Sequence, residues 1–305
     1  MSTAPGSMDT YAILRERLVS DLTRFRKFML QVLRNKLAFT GLVIILFFIV
    51  LSLSAPLIVG PYPTQFQRTT TELPPSNQHL LGTDWQGYDT FTLLLYGGQV
   101  SLLIAFTASA VAMLVGTGIG LVAGYYGRMT DQVLARATDF FLVIPWLPFA
   151  LILMSILGPS MGTMIVAIAL VSWPTTARVI RSQVITIKQR MFITRSRAVG
   201  AGSPHIIRKH ILPNVMPLVW AEAVLTISGA VFTEAFLSFF GLGPKDSAIF
   251  SWGTMVNQSY EDLGLLAGRW WYFGPPGIFI TLVVLGFAML GYGLEEILNP
   301  ALRRR

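Results

Sequence analysis

The chain of 305 residues has no cysteine and only three histidines. Disulfides and Cys-ligated metals are therefore excluded, and His79, His205 and His210 are too scattered along the chain to build a metal cluster. Charge is scarce as well: 12% of residues are charged, against about 25% in a soluble domain. Acids are the scarcer sign, 15 Asp+Glu against 23 Lys+Arg. No G-x-x-x-x-G-K-[ST] segment occurs, so the chain has no nucleotide-binding loop of its own. The first apolar run starts near Leu37, too far in for a cleavable leader. No internal repeat of the kind found in many secondary transporters is visible.

Hydrophobic residues make up 53% of the chain, and several apolar runs reach about 20 residues, enough to cross a bilayer core. The reading is an all-α polytopic membrane protein with six transmembrane helices: Leu37 to Ala55, Ser101 to Gly124, Phe140 to Leu157, Thr163 to Ala177, Val215 to Phe240 and Phe273 to Leu294. Pro56 ends the first, and the third contains Pro145 and Pro148. Gly116, Gly120 and Gly124 recur every four residues in the second, a spacing that lets another helix approach closely. Residues 1–36 form a polar N-terminal segment in which Tyr11 to Leu33 can make an amphipathic surface helix. Residues 37–96 hold the first span and an outer loop, residues 97–294 the core with a polar insert at 183–213, and residues 295–305 a basic tail. All but three of the 23 Lys+Arg fall on one side of this layout; Arg68, Lys245 and Arg269 are the exceptions. The basic residues thus mark the cytoplasmic face, with both termini inside, and are not a nucleic-acid surface.

The polar insert is the most informative stretch. Phe192 to Asn214 reads F-I-T-R-S-R-A-V-G-A-G-S-P-H-I-I-R-K-H-I-L-P-N, basic and broken by Gly200, Gly202 and Pro204. A lipid-embedded chain gains nothing from such an insert unless it docks a soluble partner. Its Gly200 and Leu212-Pro213 resemble the coupling loop of binding-protein-dependent ABC transport permeases. Thr194-Arg195-Ser196 stand where that family has Glu-Ala-Ala, and Arg197, Ala198 and Ala201 complete the expected coupling surface. The likeness extends to His79 through Asp84, Gly87-Tyr88-Asp89, Thr233-Glu234-Ala235, Leu237 through Gly243, Ser251-Trp252-Gly253, Gly274-Pro275-Pro276-Gly277 and the stretch from Gly291 to Pro300.

The resemblance implies a type I ABC importer-like permease fold and the dipeptide, oligopeptide and nickel subclass, as its second permease subunit. It implies a homologous permease as heterodimer partner, two ATPase subunits that carry ATP and Mg, and an external solute-binding protein delivering peptides, nickel or oligosaccharides. The setting would be the plasma membrane of a prokaryote, and this chain would bind no cofactor and catalyse no reaction. Glu234, Phe236, Ser238 and Trp173 are the pathway or gate candidates it suggests. Glu222 and Asp139 are further acids at or within spans; an acid in hydrocarbon costs about 2.5–3.5 kcal/mol, so each must face protein or water. Glu222 and Glu234 are twelve residues apart and do not share one helix face. The alternative is an autonomous secondary transporter or channel.

Three local patterns lead nowhere. Gly116-Thr117-Gly118-Ile119-Gly120 lacks the preceding strand a dinucleotide site needs. Gly158-Pro159-Ser160-Met161-Gly162 matches G-x-S-x-G but sits in an outer turn without a nearby histidine pair. Asn257-Gln258-Ser259 is a sequon of the kind that occurs by chance.

Reporter fusions after Ser76 and Asp246 are expected to read outside, and fusions after Arg190 and Arg305 inside. An outside signal after Arg190 would remove the polar insert from the compartment where an ATPase could reach it.

Overall fold

The computed structural model describes residues 26, 28–62, 70–245, 250–264 and 266–298. Helices dominate: α1 (Lys36–Leu53), α2 (Ala55–Ile58), α3 (Thr90–Tyr126), α4 (Arg128–Val143), α5 (Trp146–Leu157), α6 (Met161–Lys188), α7 (Met191–Ala198), α8 (Ser203–Ile206), α9 (Leu212–Leu237), α10 (Trp252–Glu261) and α11 (Trp270–Leu298). Five helical segments are long and apolar enough to cross a membrane, and the bent pair α4–α5 makes a sixth crossing when counted as one. Among the described residues the only strand-like pairing is a bridge between Thr83 and Asp89. Most of the expected helix from Tyr11 to Leu33 lies outside the described residues, although residues 28–34 are helical.

The third expected span is two helices. α4 and α5 meet at 87°. Pro145 has no N–H to continue the ladder, and the residue before a proline is pushed into extended backbone; Ile144 adopts φ −68°, ψ 126°. α4 carries one apolar and one charged face and runs beside α6, where Arg181 grips Asp131 with two hydrogen bonds of 2.5 and 2.7 Å. Arg178 reaches Asp139 at 2.6 Å. The acid at Asp139 therefore stays at an exposed surface, paired with a cation. α3 and α6 both run past the apolar windows expected for them.

Glycine spacing decides how the long helices pack. A methyl group on Gly116 would sit 2.7 Å from the Trp173 carbonyl oxygen, one on Gly120 2.8 Å from that of Ala177, and one on Gly124 2.9 Å from that of Arg181. The four-residue seam of α3 therefore holds the backbone of α6. A second seam joins α1 to α11: a methyl on Gly41 would meet the Gly286 carbonyl oxygen at 2.5 Å, and one on Gly293 would meet Ala38 Cβ at 2.6 Å. Asn35 closes this seam by capping α1, accepting from the Ala38 N–H at 3.0 Å, and donating to Glu296 at 2.8 Å. α9 packs between α11 and α3, and Ser228 donates to the Val284 carbonyl across the first of these contacts at 2.8 Å.

One end of the bundle carries a polar cap. Arg269 forks onto Glu72 with two bonds of 2.6 Å. Asp89 caps α3, accepting from Thr92, and lies 3.0 Å from His79 Nδ1. Asp84 accepts from the backbone N–H groups of Gln86 and Tyr88. Burial nevertheless pushes the Asp84 carboxyl up to about 6. Burial first, and then the charge of the adjacent Glu261, push the Asp262 carboxyl up to about 6 as well.

The folded state thus holds the Asp84 proton more tightly than an unfolded chain whose aspartates titrate near about 3.9. Stability contributed by this group is fully present below about pH 4 and declines as pH rises to about 6. Asp84→Asn keeps the acceptor for both N–H groups. It is expected to melt higher than the natural chain at about pH 7.5 and alongside it at about pH 4, in detergent melting curves; equal differences at both pH values would contradict this.

Candidate functional site

A cleft of about 620 Å³ opens where the bend between α4 and α5 faces α6 and α9. The bend contributes Phe141 through Trp146, α6 contributes Val171, Ser172, Thr175 and Val179, and α9 contributes Glu222, Leu225, Thr226, Gly229, Phe232 and Thr233. The α9 residues recur at three- and four-residue steps and so form one helix face. From this cleft an aromatic ladder climbs α9. Phe232 and Phe236 have ring centroids 6.0 Å apart, Phe236 and Phe240 4.9 Å, and Trp146 stacks beside the first two at 6.4 and 6.5 Å. Phe236, a pathway candidate from sequence, is thus the middle rung. Sequence reasoning does not single out Trp146 and Phe232; the four-residue recurrence of phenylalanine at 232, 236 and 240 is the signal that could have found the latter.

Glu234 and Ser238 point elsewhere. Glu234 is fully buried, and its Oε1 accepts from Ser238 Oγ at 2.8 Å. Ser251 Oγ donates in turn to Ser238 Oγ at 3.4 Å. Beside them α10 presses onto α9 so closely that a methyl on Gly253 would lie 2.7 Å from Ala235 Cα. Trp252 is fully buried, donating through Nε1 to the Leu94 carbonyl at 2.9 Å and through its backbone N–H to Ser101 Oγ at 3.1 Å. The blocks at 233–243 and 251–253, separate in sequence, therefore form one knot that joins α3, α9 and α10. Beyond Leu237, α9 runs into a π-turn over Ser238–Leu242, in which Gly241 stands at φ +76°. Trp173 is buried on the α3 side of α6, edge-on to Phe141 at 5.3 Å, behind the cleft wall.

The coupling candidates lie at the opposite end of α6 and α9. α7 ends in a Schellman turn: the Ala201 N–H bonds the Ser196 carbonyl at 3.1 Å, and the Gly200 N–H bonds that of Arg197 at 2.9 Å. Gly200 sits at φ +84°, the left-handed conformation this turn requires. Pro213 cannot donate to the preceding turn, and the chain enters α9 through a π-turn over Ile207–Ile211. Ile193, Ile206 and Ile211 are buried in a cluster with Ile180, Val184, Ile187 and Val215, so the hairpin is rooted on the ends of α6 and α9. Arg197 lies over the Tyr125 ring at 5.5 Å while Lys188 lies over it at 5.7 Å. Thr194, Arg195, Ala198 and Gly200 are exposed, Ser196 and Ala201 half-buried; Leu212 is half-buried and Pro213 exposed at the start of α9.

Apolar spans, a cleft between them and an exposed, basic hairpin on two of their ends are the architecture of a multi-pass membrane protein. The chain belongs to the family described as the binding-protein-dependent transport system inner membrane component, which matches residues 116–304; residues 23–75 match the N-terminal TM domain of oligopeptide transport permease C. It is 38% identical to the dipeptide transport system permease protein DppC of Bacillus subtilis over 89% of this chain and 84% of that protein. It is 34% identical to the oligopeptide transport system permease protein OppC of the same organism, over 93% and 92% of the two chains. In fold it resembles an inward-facing structure of the MetNI methionine ABC transporter, with a TM-score of 0.54 and 20% identity over 68% of this chain and 94% of that one. The chain is a permease component of an ABC importer with the type I fold.

Glu234→Ala would leave buried serine hydroxyls without their acceptor, a loss of about 1–3 kcal/mol. The variant is expected to insert and to melt lower than the natural chain, with Glu234→Gln, which keeps an acceptor, in between. If both variants melt at the same temperature as the natural chain, the knot does not depend on this side chain.

Proposed function

We propose that this permease forms half of a peptide pathway, its other half coming from a second, homologous permease, and that two cytoplasmic ATPases drive it while an external solute-binding protein supplies it. Peptides are the solute because the relatives along nearly the whole chain are named for dipeptide and oligopeptide transport. Both termini and the α7–α8 hairpin face the cytoplasm, in line with the distribution of Lys and Arg.

The construction of the hairpin carries this reading. Its inner side is rooted by three buried isoleucines and by the stacking of Arg197 on Tyr125. Its outer side offers Met191, Thr194, Arg195 and Val199 to a partner. When the ATPases close on ATP, a helix seated in their groove moves with them. Because α7 is rooted on α6 and α9, both walls of the cleft follow as one body. The aromatic ladder about Phe236 is the outer gate, with Glu234 and Ser238 holding its upper end and Trp173 supporting the wall behind. ATP and Mg stay on the partner subunits.

Arg195 replaces the alanine of the family pattern, and it meets an acid on the ATPase. Breaking such an interfacial pair from one side costs about 2–5 kcal/mol. A methyl at Gly200 would meet no atom of this chain within 4 Å, so Gly200→Val acts through backbone strain and through the partner groove. Arg195→Glu and Gly200→Val are expected to insert normally, yet to lose the ATPase on purification or to hydrolyse ATP without uptake. Co-purification of both variants with undiminished peptide uptake would show that the hairpin is not the docking site.

A further inference from the structure

Resting on the peptide-permease reading, we propose that Glu222 is a subsite in the cleft for the primary ammonium group of the transported solute. Glu222 lies ten residues into α9, about 15 Å from its start, and is only 8% exposed. It lines the cleft, and among the described residues its carboxylate has no hydrogen bond or ion pair. An unpaired carboxylate at membrane depth is costly, and that cost falls when a cation sits beside it.

The surroundings select the kind of cation. No Lys, Arg or His lines the cleft, and Glu222 is the one acid among its lining residues. Two of the four lining hydroxyls already donate within α9, Thr226 to the Glu222 carbonyl and Thr233 to the Gly229 carbonyl, each at 2.8 Å. Trp146 and Phe232 line the cleft, and aromatic rings attract a desolvated ammonium. Among the described residues no group of three His, Cys, Asp or Glu could hold a metal ion, which sets a bare divalent cation aside. A peptide brings what the cleft lacks, an ammonium at its N-terminus or on a lysine, and its carboxylate end finds no basic partner there.

The absence of cysteine makes a direct test possible. Ser172→Cys places one thiol in the cleft of the complete transporter in membrane vesicles. Its reaction rates with a trimethylammonium methanethiosulfonate and with a sulfonate methanethiosulfonate are compared by mass spectrometry of this chain. The cation-to-anion rate ratio is expected to fall by about tenfold or more when Glu222→Gln is added, as removal of one nearby charge requires. The ratio at a control position exposed in the outer loop, Asn77→Cys, is expected to stay unchanged. Glu222→Met serves the same comparison if Glu222→Gln does not insert. An unchanged ratio at position 172, as when a basic group of the second permease already neutralises Glu222, would overturn the subsite. Uptake of tri-alanine by the natural transporter is measured in parallel: its absence would sink the peptide reading while a falling ratio still stood, and its presence with an uptake lower by about tenfold in Glu222→Gln would support both.

Discussion

The bundle is built outward from the close approach of α3 to α6 along Gly116, Gly120 and Gly124. In a bilayer there is little hydrophobic drive between helices, so association rests on close packing and on interhelical hydrogen bonds. A side chain at any of these glycines would press on α6 backbone. Once α6 is held, its far end carries the rooted isoleucines of the hairpin, and its flank anchors α4 through Arg181 and Asp131. The cleft exists because α4 is tied down there while α5 turns away.

Much of this is legible in the chain. The four-residue glycine period announces a helix seam, although its partner cannot be named from sequence. Gly200 announces the end of a helix begun near Arg190, and the backbone bonds of Ser196 and Arg197 show why glycine stands there. The bend is less legible. Two prolines inside an apolar run mark a break, but neither the 87° angle nor the pairing of Asp131 and Asp139 with Arg181 and Arg178 of α6 can be read from them. The separation of Glu222 from Glu234 follows from helix geometry, whereas their different fates do not. One faces a cleft and the other a knot because the intervening turns of α9 rotate past α10, and no pattern in the sequence states where α10 lies.

The knot and the hairpin divide α9 into two ends of different character. At one, Trp252, Ser101 and Glu234 lock three helices through buried polar bonds. At the other, buried isoleucines and a ring contacted by two cations hold the hairpin while Met191, Thr194, Arg195 and Val199 stay exposed on its outer face. Between them lies the cleft face of α9, from Glu222 to Thr233, and a single helix spans the distance from the hairpin to the ladder.

The right-angle bend also bears on the surrounding lipid. α5 has 12 residues and reaches about 18 Å, well short of a hydrocarbon core of about 30 Å. Lipid meeting that flank would have to thin locally, at a cost that grows with each ångström of mismatch. A second protein surface of full height laid over the short limb removes the mismatch. Local thinning, snorkelling side chains or a neighbouring protein surface are the general ways such a shortfall is met.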